Sequence, residues 1–262
     1  MKSRVITAVI ILGVLIPIIY LSALAFKIMA LILVAVAVHE LIDVKKDRNY
    51  SMLTKGLLYL INMAPLLFIN DFSSLTVVAL TVILVLFALI MLVDNNVNFD
   101  DIGYLFITSL FIIMASNGAM YLRNLEDGFY IVIFVILVTA ASDTGAFFTG
   151  NAYGKHKLMP RISPNKTVEG LAGGIVASIV AGLIYSFFLP TGLDQWYLVI
   201  LASALFGVMA AVGDLFFSAI KRTNNVKDFS NMLPGHGGIL DRIDSHLMNL
   251  LVCFALFVFL KG

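Results

Sequence analysis

Four aspartates mark the chemistry open to this sequence. Asp143 stands in A-S-D-T-G-A and Asp214 in A-V-G-D-L-F, each inside an apolar run, while Asp241 and Asp244 stand three apart in L-D-R-I-D. An aspartate at the centre of a membrane helix costs about 2.5 to 3.5 kcal/mol on insertion, so one that is kept there marks a site or a structural pairing with serine, threonine or lysine. The three-residue spacing places Asp241 and Asp244 on one helix face. There they either complement the helix dipole and cap exposed amides or, converging with Asp143, offer the hard oxygen ligands that magnesium takes when it also coordinates phosphate. Asp143 and Asp241, with Asp214 and Asp244 in support, are the candidate metal ligands and catalytic carboxylates.

The complementary half of the pattern is basic. Lys155, Lys157, Arg161 and Lys166 lie in one hydrophilic connection, and Lys221, Arg222, Lys227 and Arg242 in another. Cations beside membrane helices ordinarily set topology or bind anionic lipid; mixed with carboxylates and glycines they read as a polyphosphate site. Gly235, Gly237 and Gly238 let backbone approach an anion, adopt positive φ and present free N–H groups ahead of a helix, although plain loop flexibility explains them equally. His236 invites the role of general base. A phosphate monoester has a second pKa of about 6 and is already largely deprotonated at neutral pH, so His236 is assigned to phosphate contact or loop geometry. His39-Glu40 is adequately explained by packing and capping.

The elements that position these groups follow from composition. The chain has 262 residues, 61% of them hydrophobic and 13% charged, with a mean hydropathy of +1.01, where a soluble domain carries about 25% charged residues. This implies an all-α, polytopic integral membrane protein forming a single membrane domain, 1–262, with N-terminal spans in 1–128 and the catalytic motifs in 129–262. Windows of roughly 20 residues predict nine spans, at 5–25, 28–44, 53–69, 75–93, 102–122, 129–148, 168–189, 196–220 and 245–260. Phe26-Lys27 separates the first pair, and the third contains Asn62 and Pro65. The first run exceeds the roughly 7 to 15 residues of a signal-peptide core, so it is expected to stay as a span. Cys253, inside the last run, behaves as a small hydrophobe.

With the N-terminus in the cytoplasm, the inner side holds Lys2, Arg4, Lys45, Lys46, Arg48, Lys55 and the eight cations above, and the outer side Lys27, Arg123 and Lys261. That agrees with the positive-inside rule. Both long hydrophilic connections, 149–167 and 221–244, then face the cytoplasm, and the active site is expected at the cytoplasmic face, in a cytoplasmic membrane.

These motifs resemble one family in particular. Ser218-Ala-Ile-Lys221-Arg222, four further residues, Lys227-Asp228 and Leu233-Pro-Gly-His-Gly-Gly-Ile-Leu-Asp241-Arg242-Ile-Asp244 is similar to the signature of the CDP-diacylglycerol synthases, or phosphatidate cytidylyltransferases. Ser142-Asp143-Thr-Gly-Ala-Phe-Phe, Gly154-Lys155-His-Lys157-Leu-Met-Pro160 and Ile-Ser163-Pro164-Asn-Lys166-Thr167-Val-Glu169-Gly170 resemble the family too. Phe147, Asn165 and Val168 depart from its usual residues, which touches packing or nucleotide contacts and leaves the charge pattern intact. The resemblance covers residues 140–246 in its motifs and is only topological before them. It implies that CTP and phosphatidic acid give CDP-diacylglycerol and pyrophosphate with Mg2+, in a bilayer-embedded homodimer, with a monovalent cation such as K+ beside the magnesium. Asp143, Asp214, Asp241, Asp244, Lys166, Lys221, Arg222 and Arg242 then carry catalysis. Lys155, Lys157, Ser163, Lys227, Asp228, Gly235, His236, Gly237 and Gly238 bind substrate. No nucleic-acid partner is expected. The alternatives are a CTP-dependent polyprenol or phytol kinase, which needs a base to activate a hydroxyl, and an ion-coupled transporter, which expects midplane sites between repeated halves.

Overall fold

The computed structural model describes residues 17–45, 48–68, 74–193, 195–232 and 237–261. Among the described residues, the helical stretch 17–21 is followed by α1 (Ala23–Val44), α2 (Met52–Phe68), α3 (Ser74–Val93), α4 (Phe99–Asn124), α5 (Gly128–Tyr153), α6 (Val168–Phe188), α7 (Trp196–Thr223) and α8 (Leu240–Lys261). A two-stranded antiparallel hairpin, β1 (Lys157–Met159) and β2 (Ser163–Thr167), stands between α5 and α6. Six of the helices are long and apolar enough to cross a membrane, and two more apolar segments, Met52–Phe68 and Val78–Val93, are shorter. The protein is an all-α, multi-pass membrane protein. Most of the first expected span, up to residue 16, lies outside the described residues, although 17–21 are helical.

Several boundaries differ from the hydropathy windows, each for a local reason. The break between the first two expected spans falls at Ser22, whose hydroxyl accepts from the Ala25 amide, so Phe26-Lys27 lies inside α1. α5 runs to Tyr153, five residues past its expected end, because Thr149 to Tyr153 are too polar for a hydropathy window yet continue the helix. This sets Asp143 about 15 Å from the helix end, at roughly 1.5 Å per residue, nearly three turns in. α8 starts at Leu240, ahead of the expected 245, and so takes Asp241 and Asp244 into its first turns. Pro65 is accommodated inside α2, where the Asn62 side chain donates to Leu58 O at 2.8 Å and to Ser109 Oγ on α4 at 2.9 Å.

Successive helices alternate in direction, so one end of the bundle collects the C-termini of α1, α3, α5 and α7 and the N-termini of α2, α4, α6 and α8. Charge collects there too. Lys45 and Arg48 pair with the fully buried Asp101 carboxylate, which also closes a capping box with Asn98 at the start of α4. Asp94, 4% exposed, accepts from Ser51 N and Thr54 Oγ1, tying the start of α2 to the end of α3. Burial works against that carboxylate, but donors from Thr54, Ser51 and Asn96 outweigh it and hold its pKa down to about 2. At the opposite end Arg123 donates to Ile19 O and Lys27 to Leu67 O, both satisfying backbone carbonyls where chain segments end.

Two apolar cores divide the length of the bundle. The first joins α1, α2, α3 and α4 at the charged end and takes in Phe217, Phe229 and Leu240 from the second half of the chain. The second, toward the other end, joins α4, α5, α6, α7 and α8 through Phe134, Val138, Tyr185, Phe206 and Phe257. The two halves thus share cores. The most extensive helix contact is between α5 and α6, followed by α6 with α7 and α7 with α8. α6 makes this possible through Gly170, Gly174, Ser178 and Gly182, all buried at four-residue intervals, because small residues let membrane helices come into backbone contact.

Candidate active site

The close helix contacts decide where the aspartates go. A Cβ on Gly145 would lie within 2.9 Å of Gly173 O across the α5–α6 contact, and one on Gly213 would lie 2.9 Å from Asp244 O across the α7–α8 contact. The residue beside Asp214 therefore touches the backbone of Asp244. Below the aspartates, buried Asn249 on α8 donates to Thr139 Oγ1 on α5 at 2.8 Å and to Phe206 O on α7 at 3.0 Å. Thr139 is one turn from Asp143 and Asn249 little more than one turn from Asp244. A polar group inside hydrocarbon is best satisfied by a neighbouring helix, so this amide fixes the three acid-bearing helices against one another.

Above that tie a cleft of ≈ 290 Å³ opens at the charged end, lined by Asp143, Asp214, Asp228, Asp241, Asp244, Lys221, Arg242 and Ser245. All four aspartates singled out from the sequence line it, together with Asp228. Lys166, projecting from β2, pairs with Asp214 at 2.5 Å, and Lys221 pairs with Asp241 at 2.5 Å. Asp143 and Ser245 line the cleft together, and buried Asp244 accepts from Ser245 N at 2.8 Å. Among the described residues no ion pair reaches Asp143 or Asp244, and no three His, Cys, Asp or Glu side chains are gathered tightly enough to hold an ion as they stand. Five carboxylates thus face two cations in one cleft.

Asp241 has both oxygens engaged. Oδ1 receives Lys221, and Oδ2 accepts Phe229 N at 2.8 Å and Gly238 N at 2.9 Å. It therefore holds the start of the 228–240 segment onto the first turn of α8 while presenting an edge to the cleft. Gly237 has the left-handed φ of +80° that its place in the sequence suggests, and a Cβ there would lie 2.9 Å from Asp241 Oδ2. At Gly238 a Cβ would lie 2.6 Å from Glu40 Oε1. The room these two glycines leave is filled by the protein's own carboxylates. Gly235 and His236 lie outside the described residues.

The hairpin separates the basic residues into different settings. Lys166 alone of its group reaches an aspartate of the cleft; Lys155 and Lys157 are exposed and Ser163 is half-buried, all outside the cleft lining. Lys157 pairs in register with Thr167, and the Lys155 and His156 amides donate to Glu169, whose carboxylate also meets His156 Nδ1 at 2.6 Å. Arg222, at the end of α7, donates to Ile162 O at 3.2 Å and so ties the hairpin turn to the bundle. Lys227 is exposed.

Glu40 is the residue that sequence reasoning passed over. It does cap a helix, as the His39-Glu40 reading has it, but that helix is α8, some 200 residues away. Its own position near the charged end of α1 was the available signal.

Comparison with known proteins covers nearly the whole chain. A model of the cytidylyltransferase family matches residues 2–260. A phosphatidate cytidylyltransferase from Bacillus subtilis (strain 168) is 36% identical over 255 residues, covering 94% of both chains. Proteins of that name from Staphylococcus saprophyticus and Staphylococcus haemolyticus are 34% and 32% identical over 256 residues, each alignment covering 95% of this chain and 96% of the relative.

Proposed function

The chain belongs to the cytidylyltransferase family, and from that premise we propose that it is a phosphatidate cytidylyltransferase, joining CTP and phosphatidic acid into CDP-diacylglycerol and releasing pyrophosphate. The observation that carries the reading is the single cleft onto which α5, α7 and α8 bring Asp143, Asp214, Asp241 and Asp244, at the end of a membrane bundle where the basic residues also collect. A lipid whose tails stay in the bilayer can present its phosphate at that level, and a nucleotide can arrive from water. The positive-inside distribution supports placing this end at the cytoplasmic face of a cytoplasmic membrane. The resemblance of the motifs supports a homodimer and a monovalent cation near the site.

The donor chemistry fits Mg2+. Five carboxylates outnumber Lys166, Lys221 and Arg242 at the cleft, and hard oxygen ligands are what Mg2+ takes beside substrate phosphates. Asp143, Asp214 and Asp244 would hold it, with Asp241 at the edge. When bound, it supplies neutralisation of the phosphate charge as the two anions meet.

The chain's own groups do the rest. An oxygen of the lipid phosphate, carrying about −1.5 to −2 of charge at neutral pH, attacks the α-phosphorus of CTP; the bond to the β-phosphate oxygen breaks, and pyrophosphate leaves with that electron pair. No proton needs removing from the attacking oxygen, which accords with a cleft lined, among the described residues, by carboxylates, Lys221, Arg242 and Ser245. Lys166, Lys221 and Arg242 offset charge on the departing pyrophosphate, while Arg222 holds the hairpin that carries Lys166 in place. Positioning and electrostatics supply most of the acceleration in such transfers.

Purified protein given phosphatidic acid and CTP labelled in the base should place label in lipid, and CTP labelled in the γ-phosphate should yield labelled pyrophosphate. Label from the γ-phosphate appearing in lipid would identify a kinase and overturn the reading.

A further inference from the structure

Glu40 is 0% exposed, comes from the half of the chain that holds none of the cleft aspartates, and accepts three hydrogen bonds. Ser230 Oγ donates to Oε1 at 2.6 Å, Ile239 N to Oε1 at 2.8 Å and Leu240 N to Oε2 at 2.8 Å. The first donor stands at the beginning of the segment that leads into α8, and the other two stand at its end. Asp241 repeats the arrangement one step further along, joining Phe229 N to Gly238 N through Oδ2. Two carboxylates from opposite halves of the chain thus each join residues 229–230 to residues 238–240. The one from α8 also lines the cleft, and the one from α1 does not.

Physical reasons favour a carboxylate at this place. The first amides of a helix have no partner within it and carry the positive end of its dipole, so a buried anion satisfies them where water is excluded. Gly238 is required by the same contact, since any Cβ would strike the Glu40 carboxylate. A glutamine has one acceptor oxygen and would turn an N–H group toward the Leu240 or Ile239 amide, leaving a donor facing a donor.

We propose that Glu40 is a positioning residue for the cytidylyl transfer: from α1 it joins Ser230 to Ile239 and Leu240 and so sets where Asp241 and the start of α8 stand in the cleft. This rests on the transfer reading given above. It makes the N-terminal helices part of the active-site assembly, with Glu40 acting through Asp241 and never touching substrate.

The test compares the full-length parent with Glu40→Gln, Glu40→Ala and Ser230→Ala in detergent, following three quantities: kcat/KM for CTP and phosphatidate, hydrogen exchange at residues 237–240, and thermal unfolding. Glu40→Gln should lower kcat/KM about tenfold or more, the usual scale for a lost hydrogen bond to a charged group. Exchange at Leu240 should speed up while the α5–α6 amides stay protected. Ser230→Ala should have a smaller effect, and the two changes together should cost less than the product of the separate losses, because both break the same junction. If Glu40→Ala fails to fold, the other two variants carry the test. A Glu40→Gln protein within twofold of the parent in kcat/KM, or with unaltered exchange at Leu240, would overturn the proposal while leaving the transfer reading intact. A parent that makes no cytidine-labelled lipid would overturn the transfer reading and this inference with it.

Discussion

Asp143→Asn is expected to lower kcat/KM by about a thousandfold, the scale on which removing one preorganised electrostatic contact is felt, while the protein still folds and inserts. The exchange keeps the shape of the side chain and one of its acceptor oxygens. It leaves the tie from Asn249 to Thr139 and Phe206 untouched, and it removes a charge whose insertion into the membrane is costly. Incorporation of base-labelled CTP into lipid measures the loss, and thermal unfolding in detergent checks the fold. A variant that turns over like the parent would take Asp143 out of the chemistry.

Lys221→Met has the second large effect, and it is on stability first. The ammonium and the Asp241 carboxylate are 10% and 5% exposed, so removing one partner leaves the other as a buried charge at a cost of about 3–5 kcal/mol. The double change Lys221→Met/Asp241→Asn should recover most of that loss, because the amide oxygen can still accept from Phe229 N and Gly238 N without a charge to compensate. Turnover should stay low in both proteins, since both groups line the cleft. Melting temperatures of the two variants separate these contributions; a double variant no more stable than the single one would contradict the buried-pair account.

Much of the site was legible because membranes penalise charge. Asp143 and Asp214 stand out of apolar runs without any knowledge of the fold, and the three-residue step from Asp241 to Asp244 places them on one helix. Hydropathy was a poorer guide to boundaries, since it registers the apolar body of a helix and misses its polar continuation. That is why the hydropathy windows stop short of Thr149 to Tyr153 and begin only after Leu240 to Asp244, although the aspartate spacing itself points to a helix there. The hairpin was invisible for a related reason: Lys157 to Met159 and Ser163 to Thr167 have no apolar alternation, and the second contains Pro164. For Glu40 the sequence suggests capping but not which helix is capped, because its partners are long-range and mostly backbone amides, which carry no residue signature. Ser22, by contrast, offered a capping residue that the long apolar run of 5–44 concealed.

Asp143, Asp214 and Asp244, from three different helices, are proposed to share one divalent ion. Mn2+ titration of the purified full-length protein, followed by the loss of the free-ion paramagnetic resonance signal, tests this without any need for turnover. The parent and an Asp127→Asn variant, altered at the opposite end of the bundle, should bind Mn2+ alike, and Asp143→Asn and Asp244→Asn should each bind it at least about tenfold more weakly, or about 1.4 kcal/mol. Equal Mn2+ affinity in all four proteins would contradict the shared-ion site.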